Sequence, residues 1–448
     1  MTQKFDIIII GGGNAGFGVS AVAHDAGKSI AFIEERDFGG TCPNRGCTPK
    51  KVLVAAAHAL HEIETANAHC IEVGKPKLDW SALIRREKAM IDFIPDAMGD
   101  LAAKRGTVFR GRGAFTGPNS VEVNGQELTA DSIVIATGSR PRQLPIPGAE
   151  YMITSDEVLS DENQPKEVVF IGGGVIAMEF SHVYARAGTK VTILEAMPQL
   201  LPRMDVDTVN VIKAESERLG IVIHTGVKVE EITKDGETLS VKYSINDQDH
   251  VVAVDRIVNG AGRIANTDGL NLDVAGIEHD GIAIKVDEIM RSVSNPSIWV
   301  AGDALVNTPQ LSPVATHEGR LIGKAIVSGS GQSADFSGLP SCVYTVPAIS
   351  TVGLTEAEAH SKGIDFRVSK NDMTGWFSGK SYAESAAWAK VLIDNETDQF
   401  LGAHMVGHQG EDLIHLFAMA MQHKITAAEF QASHFAFPTF SSDAKNLF

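Results

Sequence analysis

Apolar and polar residues follow one another along this chain in blocks. The first block, "KFDIIII", is a continuous apolar run closed by "GGG", as in a strand buried on both faces. "NAGFGVSAVAHDAG" follows with small residues at helical spacing, and "SIAFIEE" is a second apolar run ending in acids. The pattern predicts strand, Gly turn, helix, strand. It returns at "EVVFIGGGVIAMEFSHVYARAGTKVTILE". Both copies run 23 residues from first glycine to closing acid, Gly11 to Glu34 and Gly172 to Glu195. Between them, "LHEIETANAHC" and "WSALIRREKAMIDFIPDAMGDLAAKRG" read as helices. "TVFRGRGAFTGPNSVEVNGQELTADSIVIATGS" reads as short strands with Pro-Asn and Asn-Gly turns, and "PRQLPIPGAE" as a boundary. Strands return in "LSVKYSINDQDHVVAVDRIVNGAG" and "NPSIWVAGDAL". From about Leu339 a third region mixes strands ("VLIDN", "FLGAHMVG") with helices ("EDLIHLFAMAMQH", "AAEFQ"). The order predicts an α/β protein with two Rossmann-like units and a C-terminal α+β region.

Each glycine motif follows a strand, opens a helix and meets an acid at the end of the next strand. That is the context of a dinucleotide fingerprint. Gly11 and Gly172 make the tight turn, and Gly13 and Gly174 let the backbone approach a pyrophosphate. Gly16 and Ala177 let helix and strand pack closely. The helix N-terminus then offers free N–H groups and a positive dipole end to the phosphates. Two Gly-rich turns with no ligand are the bland alternative, and the doubled, fully spaced pattern outweighs it. The chain is expected to bind two dinucleotides. Glu195 closing the second unit favours NADH, because a carboxylate bonds the ribose 2′-hydroxyl and repels a 2′-phosphate. The first basic residue beyond it is Arg203.

Composition changes this picture little. The 448 residues are 44 % hydrophobic and 21 % charged, enough for two to four ordinary domains. A net charge of −17 argues against nucleic-acid or anionic-membrane partners. No apolar run reaches membrane-spanning length, and no leader pattern is visible, so the cytoplasm is the expected compartment. Cys42 and Cys47 in "GGTCPNRGCTPKK" are two of four cysteines. Such a pair in a reducing compartment is more often catalytic or metal-binding than structural. No second Cys or His pair stands at zinc spacing, so no metal is expected. Cys70 and Cys342 read as isolated and inert. "CTPKK" suggests a helix starting at about Pro49, whose positive end would favour a thiolate.

"GGTCPNRGCTPKK", "ATGSRP", "GGGVIAME", "GAGRIAN" and "VAGDA" occur in this order. With "YTVPAISTVGLTEAEA", the series resembles the FAD-dependent pyridine nucleotide–disulfide oxidoreductases, which include glutathione reductase and dihydrolipoamide dehydrogenase. The resemblance spans essentially the whole chain. It implies an FAD-binding domain in two parts (1–146 and 266–338), an NAD(P)-binding domain (147–265) and a dimerisation domain (339–448). It implies FAD, NAD(P)H, a homodimer and a small-molecule substrate in cell redox homeostasis. Electrons would pass from NAD(P)H through FAD to a redox-active Cys42–Cys47 disulfide. Cys42 would attack substrate, Cys47 would stay as the thiolate beside the flavin, and Lys50 would pair with Glu179. Gly11, Gly13, Asn14, Ala15, Gly16, Glu34, Gly40, Thr41, Lys50, Ala114, Thr137, Gly138, Gly302 and Asp303 would hold FAD. Gly172, Gly174, Val175, Ala177, Glu179, Glu195 and Gly262 would face the nicotinamide nucleotide. For Lys50 and Glu179 alone, two surface charges would be the ordinary reading.

One stretch departs from the family. "SHFAFPTFSSDAKNLF" has Phe437 where the disulfide reductases place an acid–base His before Pro-Thr, and Ser442 where they place Glu. A phenyl ring moves no proton, and general acid–base catalysis is worth roughly 10²–10⁴-fold. His434 is the nearest stand-in, although a lone His is more often structural. Ala21 stands near where glutathione reductases carry a substrate-gripping Arg, and there is no C-terminal Cys pair. Three readings follow: reduction of a disulfide or other electrophile suited to an apolar site, thioether cleavage resembling 2-ketopropyl-coenzyme M oxidoreductase/carboxylase, and a non-enzymatic FAD redox sensor.

Overall fold

A computed structural model describes residues 2–448. The chain forms two compact units. The first holds the chain up to Lys50, Arg85–Arg142 and Gly262–Asp335; the second holds Lys51–Ile84, Gln143–Ala261 and Phe336–Phe448.

The first unit is built on the opening block. β1 (Gln3–Ile10) pairs in parallel with β2 (Ile30–Glu34) on one side and with Gln126–Ile135 on the other. Thr107–Arg110 extends one edge, and Ile298–Val300 joins Gln126–Ile135 in parallel. β1 reads as a hydrophobic run because Ile7, Ile8 and Ile9 are fully buried, with helices on the sheet. Helix α1 (Asn14–Asp25) packs on helix Ser312–Ser328 almost backbone to backbone. A methyl group at Gly319 would lie 2.1 Å from the Ala15 carbonyl oxygen.

In the second unit, the repeated block forms a four-stranded parallel sheet in the order Val222–Thr225, Lys190–Glu195, Glu167–Ile171, Arg256–Asn259. A three-stranded antiparallel meander over 228–254 follows Val222–Thr225. The C-terminal part is a five-stranded sheet carrying helix Gly410–Gln422. The units cut the chain differently from the four segments expected by resemblance. Residues 51–84 belong to the second unit because Val52, Leu53, Trp80 and Ile84 share one core with Phe170 and Tyr184. Trp80 stacks on Tyr184 at 5.0 Å and 17°. Among the described residues no helix is long and apolar enough to cross a membrane.

Candidate functional site

Both fingerprints take the geometry their spacing predicts. Gly11 and Gly172 have φ of +112° and +104°, open to glycine at no steric cost. A methyl group on Gly16 would stand 2.2 Å from the Gly11 carbonyl oxygen, so helix–strand contact there demands glycine. Ala177 is fully buried in the second copy. Gly13 and Gly174 are the N-caps of α1 and of helix Val175–Arg186, and neither helix start has a side-chain cap. The first N–H groups of both helices are therefore left for another acceptor. Asn14 and Ala15, and Val175, lie in those first turns. The closing acids behave alike. Glu34 accepts the Gly12 and Arg36 backbone N–H groups at 2.7 and 2.8 Å. Glu195 accepts those of Gly173 and Met197. Each carboxylate is thus aimed by its own fingerprint loop and retains lone pairs for a ribose hydroxyl. Arg203 is exposed.

The cysteines sit one loop after β2. Gly39 and Gly40, at φ +99° and +71°, turn the chain into the short helix α2 (Thr41–Arg45), which carries Cys42. Asn44 holds the loop by donating to the Phe38 and Gly40 carbonyls, and Arg45 pairs with Asp37 at 3.1 Å. Helix α3 (Cys47–Thr65) starts at Cys47, two residues earlier than the proline suggested. The Lys50 N–H already bonds the Gly46 carbonyl, and Pro49 in the first turn forfeits only an N–H that the helix does not use. Cys47 therefore occupies the positive end of a 19-residue helix, a setting that favours a thiolate. Cys42 is hydrogen-bonded to Cys47. That bond, then burial, raise its pKa well above an ordinary thiol, and the Ser312 hydroxyl partly offsets them. The two sulfurs titrate as one coupled pair, and the Cys42 thiol resists ionisation.

Thr137 and Gly138 follow the strand Gln126–Ile135, and Ala114 lies on Gly113–Gly117. Asp303 accepts the Ser139 hydroxyl at 2.8 Å, and Arg263 donates to that same hydroxyl oxygen at 2.9 Å. Gly302 (φ +67°) gives its N–H to the fully buried Glu318. Burial holds the Glu318 carboxyl up at about 7. Gly262 (φ +94°) has open space where a side chain would stand.

Lys50 is buried in the first unit. Glu179 is buried in the second, where it accepts the Tyr344 backbone N–H at 2.9 Å. Neither is a surface charge. Phe437 is 85 % exposed and precedes Pro438 through a cis peptide bond. Ser442 is buried and spent on its own helix: its hydroxyl accepts the Thr439 N–H at 3.1 Å, and its N–H bonds the Thr439 hydroxyl. His434 is exposed.

Two family descriptions match this chain, "Pyridine nucleotide-disulphide oxidoreductase" over residues 5–319 and its dimerisation domain over residues 339–447. The chain belongs to this family. Among curated relatives, glutathione reductase of Burkholderia cepacia is 32 % identical, covering 99 % of this chain and 98 % of that protein. Dihydrolipoyl dehydrogenase of Chlamydia muridarum is 31 % identical, covering 98 % and 95 %. Among solved structures, the HOCl-induced flavoprotein disulfide reductase RclA from Escherichia coli superposes with a TM-score of 0.87 at 26 % identity, covering 99 % of both chains. The Cu(II) complex of RclA gives 0.88.

This pyridine nucleotide–disulphide oxidoreductase uses FAD and NAD(P)H. Its first unit fits FAD. An open pocket lies beside the first fingerprint, lined by Gly11, Glu34, Gly111, Arg112, Thr137 and Asn266. Among the described residues the buried Thr137 hydroxyl and one buried Glu318 carboxyl oxygen have no hydrogen-bond partner. Sequence reasoning missed Asn44, Ser139, Arg263, Ser312 and Glu318. They stand outside the motifs as quoted or at unremarked places in them, and only Gly302-Asp303 next to a helix of small residues hinted at Glu318.

Proposed function

We propose that this oxidoreductase is an NADH-preferring reductase whose Cys42–Cys47 pair delivers two electrons to a small-molecule disulfide or other electrophile held in an apolar site. The observation that carries the reading is the cysteine pair itself: two hydrogen-bonded sulfurs, one at a helix start, in the same compact unit as the FAD cradle. When bound, FAD supplies two-electron transfer between nicotinamide and cysteines. The residues' tasks are to bind and to position. Gly11, Gly13, Asn14, Ala15, Gly16 and Glu34 take the adenosine and pyrophosphate; Gly40, Thr41, Ala114, Thr137, Gly138, Gly302 and Asp303 take the rest of FAD. Gly172, Gly174, Val175, Glu195 and Gly262 receive NADH. Lys50 and Glu179 are assigned as charged catalytic residues of the hydride step. The setting is a cytoplasmic homodimer formed through the dimerisation domain. Cys42 attacks the acceptor and Cys47 closes on Cys42.

The apolar acceptor site rests on Phe437, an exposed ring where the family's acid–base would stand. A screen of disulfides, thioethers and other electrophiles, following NADH and NADPH oxidation, tests the reading. Cu(II) is included because RclA was seen as its Cu(II) complex. Phe437→His is expected to raise turnover of ordinary disulfides at least tenfold, a modest share of the roughly 10²–10⁴ an acid–base supplies. An unchanged or lower rate would refute the role given to Phe437. Glu195→Gln is expected to lower kcat/KM for NADH about tenfold, the loss of a hydrogen bond to a charged group. Steady-state kinetics with both nucleotides checks it, and an unaltered NADH to NADPH ratio counts against the assignment.

A further inference from the structure

The cysteine pair lies against a side chain that none of the sequence motifs brought forward. Ser312 opens the 17-residue helix Ser312–Ser328. Leu311 is its N-cap, and no side-chain cap hydrogen bond forms there. Its oxygen stands 3.8 Å from Cys47 Sγ. The same hydroxyl is hydrogen-bonded to the Cys42 side chain. One rotatable O–H thus reaches both sulfurs, and all three residues lie in the first unit. Backbone contact between α1 and helix Ser312–Ser328, which requires Gly319, fixes where that helix begins. Charged and titratable groups on the flanking elements include Arg45, paired with Asp37, Lys50 in the first turn of α3, and His317 and Glu318 on the helix of Ser312. Ser312 is the side chain whose hydrogen bond lowers the Cys42 pKa.

We propose that Ser312 is a catalytic residue of the thiol–disulfide step, a hydroxyl donor that follows the negative charge between Cys47 and Cys42 and lets the pair serve as its own acid–base. The inference rests on the reductase reading above. The reduced pair holds one proton, as Cys42–SH and Cys47–S⁻. A proton shift gives Cys42–S⁻ and Cys47–SH, and the Ser312 O–H turns from the second sulfur to the first. Cys42 attacks one sulfur of an acceptor R–S–S–R′; a Cys42–S–S–R bond forms, the R–S–S–R′ bond breaks, and R′–S⁻ leaves. R′–S⁻ takes up the proton given up by Cys47–SH. The Cys47 thiolate then attacks Cys42, the Cys42–Cys47 bond forms, and R–S⁻ leaves to be protonated by water. The dithiol loses two electrons, and the acceptor gains two electrons and two protons. NAD(P)H restores the dithiol. No proton need come from the position of Phe437.

The test uses the flavin-loaded enzyme reduced by NADH. Iodoacetamide alkylation is followed against pH, with the modified cysteine mapped by mass spectrometry. Ser312→Ala should lower Cys42 alkylation at neutral pH at least about tenfold, the loss of a hydrogen bond to a charged group, and move the profile to higher pH. Ser312→Thr should restore wild-type behaviour within about twofold. If Ser312→Ala does not hold flavin, Ser312→Thr and Ser312→Val are compared, since they share a shape and differ in the hydroxyl. Superimposable pH profiles for Ala and wild type, or for Thr and Val, overturn the proposal. If NADH reduces neither flavin nor cysteines in the wild type, the reductase reading fails instead.

Discussion

Cys47→Ser should end NAD(P)H-dependent reduction of any disulfide, by at least about 10³-fold, while bound flavin is still reduced by NADH. The two-electron relay needs both sulfurs: one to form the mixed bond with the acceptor, one to release it. A serine hydroxyl can do neither at neutral pH. The variant also separates the two cysteines by spectrum. In the wild type, anaerobic NADH should produce a long-wavelength absorbance band from a thiolate against the flavin. The helix start places the charge on Cys47, and the proton retained by Cys42 keeps it there. Cys47→Ser should lack the band. Cys42→Ser should keep it, because the Cys47 thiolate survives, yet fail to turn over acceptor. A Cys47→Ser enzyme that reduces disulfides at the wild-type rate would remove the pair from the mechanism.

The second large effect is on stability and lies in the second unit. Lys390 is fully buried, with Nζ 2.8 Å from Asp205, 2.7 Å from Asp207 and 2.7 Å from Glu356. Lys370 joins it at 2.7 and 3.1 Å from Asp207 and Glu356. Lys390→Met removes the buried cation: Lys370 still pairs with Asp207 and Glu356, but the buried Asp205 loses its lysine, and breaking a buried pair in this way should cost about 3–5 kcal/mol. Thermal unfolding of the holoenzyme, followed by flavin release and circular dichroism, should show a clearly lower midpoint; an unchanged midpoint would mean the cluster is not a stabilising element. The pH dependence has a definite sign. Burial is the largest influence and pushes Asp205 up, but the hydrogen bond from Lys390, the charges of His404 and Lys390 and the Thr208 N–H together leave it lowered. Hydrogen bonds from Lys370 and Lys390 lower Asp207, and Lys390 above all lowers Glu356. Carboxylates held below their unfolded values contribute stability above those values and lose it as pH falls through the folded ones. Burial works against the Lys390 charge, but its three carboxylate partners raise its pKa overall, so its contribution is lost only as pH rises past the ordinary lysine range. The cluster should therefore stabilise across neutral pH and fail in acid, and Lys390→Met should flatten the acid limb of the stability profile.

Much of this was legible along the chain because the physics involved is local. A glycine that must turn, a glycine that must touch a strand and an acid that must end the next strand are all set within about 25 residues. Two such sets specify two dinucleotide-binding units. The cysteine pair was legible for the same reason, five residues apart after the first set. The helix start was misplaced by two residues, since Pro49 tolerates the third position of a helix as well as the first. The unit assignment of 51–84 was not legible. It depends on Trp80 meeting Tyr184, residues a hundred positions apart. Ser442 shows the same limit: a serine in place of a glutamate reads as a gap, whereas the fold gives it a capping bond.

By itself, the sequence determined the fold class, the two dinucleotide units, the family and the redox pair. Spacing between neighbours along the chain is enough to specify turns, helix starts and apolar faces. Only the tertiary structure decided what stands around those features. It set Ser312 against both sulfurs across 265 positions from Cys47. It tied Arg263, Ser139 and Asp303 into one hydrogen-bonded chain. It buried Lys390 among three carboxylates. Such contacts arise where glycine-lined helices and sheet ends meet, and their energy comes from burial and hydrogen bonds that no short stretch of sequence contains.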